Sequence, residues 1–274
     1  MRVILPGLLL VTVCFGAPEW RPLFNGRDLT GWHTYLAKPL PTVRYESEQR
    51  TSHGQHAQPL GLDHDPGRVF TVVHENGEPV IRISGEVFGT LTMKESFRDY
   101  RLRFEMRWGE RIWPPRRDGP RNSGLLYHAR GDWGSVGAWL PSIEFQLRQA
   151  EAGELITIKS QAIVAARLER ETEWYYDPNG SPMTFPVGET RRVCHAQSLE
   201  KPTGEWNVFE LVCRGVESWH LVNGRIVLHM NAAYAPGPDG PQPLTSGRIQ
   251  FQSEGAELFL RRIEITPVGD YRPE

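Results

Sequence analysis

Residues 121–150 read RNSGLLYHARGDWGSVGAWLPSIEFQLRQA. Two apolar–polar runs, 123–130 and 142–149, flank a loop carrying Gly131, Trp133, Gly134 and Trp139. Side chains along a β-strand alternate between its two faces, so residues two apart share one. Read as strands, the first run puts His128 and Arg130 on one face. The second puts Glu144, Gln146 and Arg148 on one face. Leu125, Tyr127, Ala129, Ile143, Phe145 and Leu147 take the opposite faces, the pattern of a sheet with one packed side. The polar side is a solvated surface or a site, and pattern alone leaves both open.

The same alternation recurs around this pair. In YRLRFEMRW, 100–108, Tyr100, Leu102, Phe104, Met106 and Trp108 oppose Arg101, Arg103, Glu105 and Arg107, a half-buried strand. RVFTVVH and PVIRIS meet at Asn76-Gly77, and SWHLV and RIVLHM at Asn223-Gly224, both hairpin signals. The segment EAGELITIKSQAIVAARLE reads as two short strands, and RIQFQSEG with ELFLRRIEITP completes the sheets. Many short strands punctuated by turns predict an all-β antiparallel sandwich of jelly-roll type, in a single domain.

Composition narrows the function classes. A formal net charge of -2 gives no basic excess for nucleic acid. The start, MRVILPGLLLVTVCFGAPEW, has one Arg, an apolar run over 3–15, and then Gly16-Ala17. It reads as a secretory signal peptide, residues 1–16, leaving a mature chain over 17–274 that is periplasmic or extracellular. Cys14 sits near a lipoprotein-like position, but Val13 stands where a small residue is wanted, so lipid anchoring is the lesser reading. No other stretch is apolar enough to span a membrane. Cys194 and Cys213 remain in the mature chain, and they form one disulfide or stay as two buried thiols.

Three groups of residues carry candidate chemistry. The polar 37–67 segment holds His53, His56 and His64, with His33 nearby, which are solvated loop histidines or ligands for a metal. Trp133, Trp139 and the run Trp174, Tyr175, Tyr176 suit the apolar face of a sugar ring; the 174–176 run also suits a plug at the end of the sandwich. Glu144, His128 and Arg130 form the best local set for acid–base work.

Hydrolysis by paired carboxylates needs separations of about 5–5.5 Å or about 6.5–9.5 Å. Strand residues two apart stand roughly 6.6 Å from each other, so such a pair would read Glu-x-Asp or Glu-x-Glu. Here Gln146 follows Glu144-Phe145, and Glu105, Glu151 and Glu154 are undistinguished as second acids. No GxSxG elbow is present. A carboxylate, an imidazole and a guanidinium instead suit proton abstraction beside a carbonyl, with a cation stabilising the enolate.

The pieces PLFNGRDLTGW, ISGEVFGTL, YRLRFEMRWG, NSGLLYH, SIEFQLRQAEAGEL, GEWNVFEL, HLVNGRIV and SGRIQFQSEGAELFLRRIEI occur in this order. In them the chain resembles the bacterial 3-keto-disaccharide hydrolase family over nearly its whole mature length. The resemblance implies a concanavalin-like jelly roll acting on glycosides oxidised at C3. It also implies an upstream sugar 3-oxidoreductase as a partner. In that chemistry Glu144 or His128 is the base, Arg130 clamps an oxyanion or hydroxyl, and Gln146 hydrogen-bonds the sugar. A divalent metal held by His128, Glu144 and a loop histidine is an alternative electrophile. The competing readings are a lectin-like carbohydrate-binding module and a glucanase-type glycosidase.

Overall fold

The computed structural model describes residues 19–41, 43, 52, 58–195 and 197–274. The expected leader, Cys14, His53 and His56 lie outside these residues. Strands and turns account for the regular structure described, with no helix among the described residues.

Two antiparallel sheets face each other. The back sheet runs, in spatial order, Glu173–Tyr176, Gln161–Arg170, Arg225–Ala235, Glu217–Val222, Asn207–Arg214, Tyr100–Ile112, Ala256–Pro267, Glu78–Ile83 and Phe70–Glu75. The front sheet runs Arg192–Val193, Leu155–Ile158, Ser142–Gln146, Gly124–Ala129, Ser246–Ser253, Gly89–Met93, Trp32–Leu36 and Gly61–Leu62. Neighbours in space are often remote in sequence, as a jelly roll requires. The strand holding Glu144 is thus one strand removed from that holding Gln250.

The expected strand pair does form, as Gly124–Ala129 beside Ser142–Gln146, with Ile143 opposite Tyr127 and Glu144 opposite Leu126. Both expected hairpins close as read. Asn76 and Gly77 (φ 49° and 83°) and Asn223 and Gly224 (φ 49° and 80°) carry the paired positive φ of tight turns that match strand twist. The long central strand extends to Ile112, and Tyr100, Leu102, Phe104, Met106 and Trp108 are all buried while the intervening charges are not.

The inner faces meet in one main core. Phe104 packs on Phe209 (centroids 5.3 Å apart) and edge-on to Phe251 (5.0 Å), joining the back sheet to the front. Each fully buried side chain of this size contributes about 1.5–3 kcal/mol. A polar strut also crosses the core. The Tyr127 hydroxyl lies 2.7 Å from Ser218 Oγ and 3.0 Å from His220 Nε2, while His220 stacks on Phe145 at 4.2 Å. Burial lowers the His220 pKa to about 3, so this imidazole is neutral. The strut ties Glu144's own strand and its Gly124–Ala129 neighbour to the back sheet.

Cys194 and Cys213 are separate buried thiols. Cys194 bridges to Tyr175 at a sheet edge, and Cys213 lies in the main core, so the disulfide alternative does not form.

Candidate active site

The site is built on the outer face of the front sheet. Strand pairing lines up Ile156, Glu144, Leu126, Gln250, Thr92 and His33 across five inter-strand steps. The neighbouring row holds Gln146, Gly124, Gln252, Thr90 and Tyr35. Glu144, Thr90, Thr92, Gln250 and Gln252 are buried although they face away from the core, and the 131–140 loop reaches onto this face at Gln250 and Tyr35. Leu140 N–H donates to Gln250 Oε1 (3.3 Å), and Gln250 Nε2 donates to Thr92 Oγ1 (2.9 Å). Trp133 stacks on Tyr35 with centroids 5.6 Å apart, and the Arg248 guanidinium sits 5.6 Å from the Trp133 ring. Trp139 stacks on Phe88.

Glu144 is the focus. A Cβ on Gly124 would stand 2.3 Å from Glu144 Oε1 and 2.6 Å from Gln252 Oε1, so glycine makes the space the carboxyl occupies. Burial, and after it the charge of Glu254, raises the Glu144 pKa to about 8; Arg191, a hydrogen bond from Gln252 and Arg116 oppose the rise. The carboxyl is therefore poised near neutrality, where a general base can both exist and bind a proton well.

The second acid is Glu254, just beyond the Ser246–Ser253 strand, and its partner is Arg116. The loop carrying Arg116 is pinned to this corner: Trp113 N–H donates to Gly255 O (2.7 Å) and Trp113 Nε1 to Ser84 O (3.0 Å). The three acids considered from sequence are engaged elsewhere. Glu105 pairs with Arg261 and Arg262 on the back sheet. Glu151 and Glu154 pair with Arg192 beyond the Leu155–Ile158 strand.

The structure brings Trp133, Trp139 and Gln146 to the face that bears Glu144. Gln146 spends its side-chain oxygen on the backbone N–H groups of Leu147 and Arg148, at 3.0 and 3.1 Å. It does not bring His128 there. The register shifts by one residue between the 124–129 and 246–253 strands, and His128 takes φ 54° at that bulge. Strict alternation of faces fails at this point. His128 is fully buried against Tyr127, and the charges acting on it are Arg130 and Asp99, not Glu144. Burial lowers its pKa to about 3. Arg130 is exposed at the strand's end, its N–H donating to Pro141 O (3.0 Å).

Trp174, Tyr175 and Tyr176 lie on the edge strand of the back sheet. Trp174 sets its ring edge-on to Phe185 at 5.9 Å, and it and Tyr176 pack on the core, which is the plug of the two readings. Among the described residues no three His, Cys, Asp or Glu side chains gather to hold a metal. His128 and Glu144 do not form such a set, and His33 instead meets Asp63 (Nδ1 to Oδ2, 2.7 Å).

Gln250, Gln252 and Glu254 were legible as the polar side of RIQFQSEG, but no spacing in the sequence ties that strand to Glu144. Arg116 and Arg191 lie on connections that carry no periodic signal.

Solved structures align with much of this chain at low identity. A Parabacteroides distasonis protein provisionally named a glycosyl hydrolase is 16% identical, with 90% of this chain and 93% of that one aligned and a TM-score of 0.48. Bacillus licheniformis beta-glucanase is 9% identical over 92% and 99% of the chains, with a TM-score of 0.43. The carbohydrate-binding module CBM66 of Bacillus subtilis is 9% identical over 72% and 91%, with a TM-score of 0.38. No curated protein matches the chain. A family model, the 3-keto-alpha-glucoside-1,2-lyase-like domain, matches residues 19–266, and the chain belongs to that family.

Proposed function

We propose that this protein cleaves 3-keto-glycosides by elimination, with Glu144 as the base. A ketone at C3 acidifies the C2 proton and leaves the glycosidic oxygen β to the carbonyl. The Glu144 carboxylate takes the C2 proton, and the C2–H electron pair enters the enolate. Collapse of the enolate breaks the bond from C1 to the aglycone oxygen and forms the C1=C2 double bond. The aglycone oxygen leaves with a proton, and water added at C1 completes a net hydrolysis.

The observation that carries this reading is the buried Glu144 carboxyl with its pKa raised to about 8, set beside the guanidinium charges of Arg116 and Arg191. A base of that strength suits carbon-acid chemistry, and nearby cations suit the oxyanion that develops. Arg116 and Arg191 take the part expected of Arg130. Trp133 on Tyr35 offers a half-exposed aromatic surface for the sugar. Export, inferred from the leader at 1–16, places the reaction outside the cytoplasm.

Incubating a 3-keto-glycoside with the enzyme in D2O tests the first step. Deuterium at C2 of the recovered substrate or product, lost in Glu144→Gln, is the expected result. Cleavage with no deuterium at C2 rules out proton abstraction there.

A further inference from the structure

Two cavities adjoin each other at the Lys159–Ser160 turn. One, of about 560 Å³, is lined by Lys159, Ser160, Glu189 and Arg191 among others. The other, of about 530 Å³, is lined by Arg130, Pro141 and again Lys159 and Ser160. Pro236 and Gly237 border both, so the two form a continuous trough.

Three cations look into it: Arg191, Lys159 and Arg130, all exposed. None makes an ion pair or a side-chain hydrogen bond among the described residues. On the outer face of the back sheet the rule is the opposite, with Arg101 on Glu210, Arg103 on Glu264 and Arg261 on Glu105. Among the described residues Glu189 is the one carboxylate lining the trough. Its charge is outnumbered three to one, so the trough is net positive.

The trough also lies beside Glu144. Ile156 stands opposite Glu144 on one side and Arg192 on the other, which puts Arg191 two strands away, about 10 Å at the backbone. The Arg191 charge is among those acting on Glu144. Glu144 itself lines neither cavity, and the trough lies where the next unit of a glycoside held at Glu144 would extend.

We propose that this trough binds an anionic sugar unit, one bearing a carboxylate or a sulfate, as the neighbour of the sugar processed at Glu144. A guanidinium fork meets either group with two parallel hydrogen bonds, and the Lys159 ammonium adds a point charge. The substrate class is then an acidic disaccharide or oligosaccharide. This rests on the reading of Glu144 as the reacting carboxyl, but binding is measurable apart from turnover.

Calorimetry of the full chain with three probes tests it: a glucuronyl-glucose disaccharide, a 6-sulfated glucose disaccharide and the neutral parent. At least one acidic probe binds about tenfold more tightly than the neutral one, and the preference shrinks as salt is raised. The ratio between the two acidic probes tells carboxylate from sulfate. Arg130→Gln combined with Lys159→Gln removes most of the preference and leaves neutral binding unchanged. Equal binding of all three probes, or an undiminished preference in the double variant, overturns the proposal. An acidic preference without turnover of any 3-keto-glycoside upholds the trough and sinks the elimination reading; turnover without the preference does the reverse.

Discussion

Gly124→Ala places one methyl group against the centre of the site. Gly124 is a strand residue without positive φ, so the change carries no backbone strain. The added carbon would lie 2.3 Å from Glu144 Oε1 and 2.6 Å from Gln252 Oε1. Comfortable contact needs about 3.5 Å, so the Glu144 carboxyl must retreat by about 1 Å. Overpacking of this kind costs about 1–3 kcal/mol, each of which lowers Tm by about 2–4 °C in a chain of this size. A displacement of about 1 Å in a reacting group costs about 10²-fold in rate. The assay is kcat/KM on a 3-keto-glycoside beside a thermal scan. Gly119→Ala is the control, because its methyl meets nothing nearer than Arg116 O at 3.8 Å. A folded Gly124→Ala protein with wild-type kcat/KM refutes the reasoning, since the carboxyl's position would not then govern turnover.

Other outcomes follow from the same geometry. As a base Glu144 works ionised, so kcat/KM rises with pH and levels above about 8, and Glu144→Gln removes turnover. The same raised pKa, about 8 against 4.5 for a free carboxyl, stabilises the fold fully below pH 4.5 and less as pH climbs through 8. Glu144→Gln therefore gains Tm relative to wild type as pH rises over that window. Glu254→Gln removes a charge that helps raise the Glu144 pKa, and shifts the rising limb of the rate profile to lower pH. Tyr127→Phe strips Ser218 and His220 Nε2 of a buried partner and costs about 1–3 kcal/mol in denaturant melts. Reductant leaves Tm unchanged, because Cys194 and Cys213 are free thiols; a fall on reduction would mean they are joined.

The fold was largely legible because it rests on local signals. Strict alternation over 100–108 marked a half-buried strand, and the two Asn-Gly pairs marked turns whose positive φ those residues tolerate. The site was legible only where the same alternation held. Glu144 and Gln146 fell on the predicted face, but a single register shift turned His128 into the interior. A bulge of this kind leaves no mark in a run such as GLLYHA, where each residue is as acceptable in regular pairing.

The other half of the site was hidden for a different reason. Glu254 is 110 positions from Glu144, and its charge acts on Glu144 because sheet order puts the Ser246–Ser253 strand beside Gly124–Ala129. Trp174 and Tyr176 had a composition suited to sugar, but their place was set by the back sheet, where burying apolar area against Phe185 wins.

Elimination beside a ketone is the central claim, and aglycone release is its most direct measure. A 3-keto-glycoside and its unoxidised parent are offered side by side to the wild-type protein and to Glu144→Gln. The account predicts release from the keto form alone and none from the variant. Equal release from both glycosides contradicts it, because a route that ignores the ketone does not proceed through loss of the C2 proton.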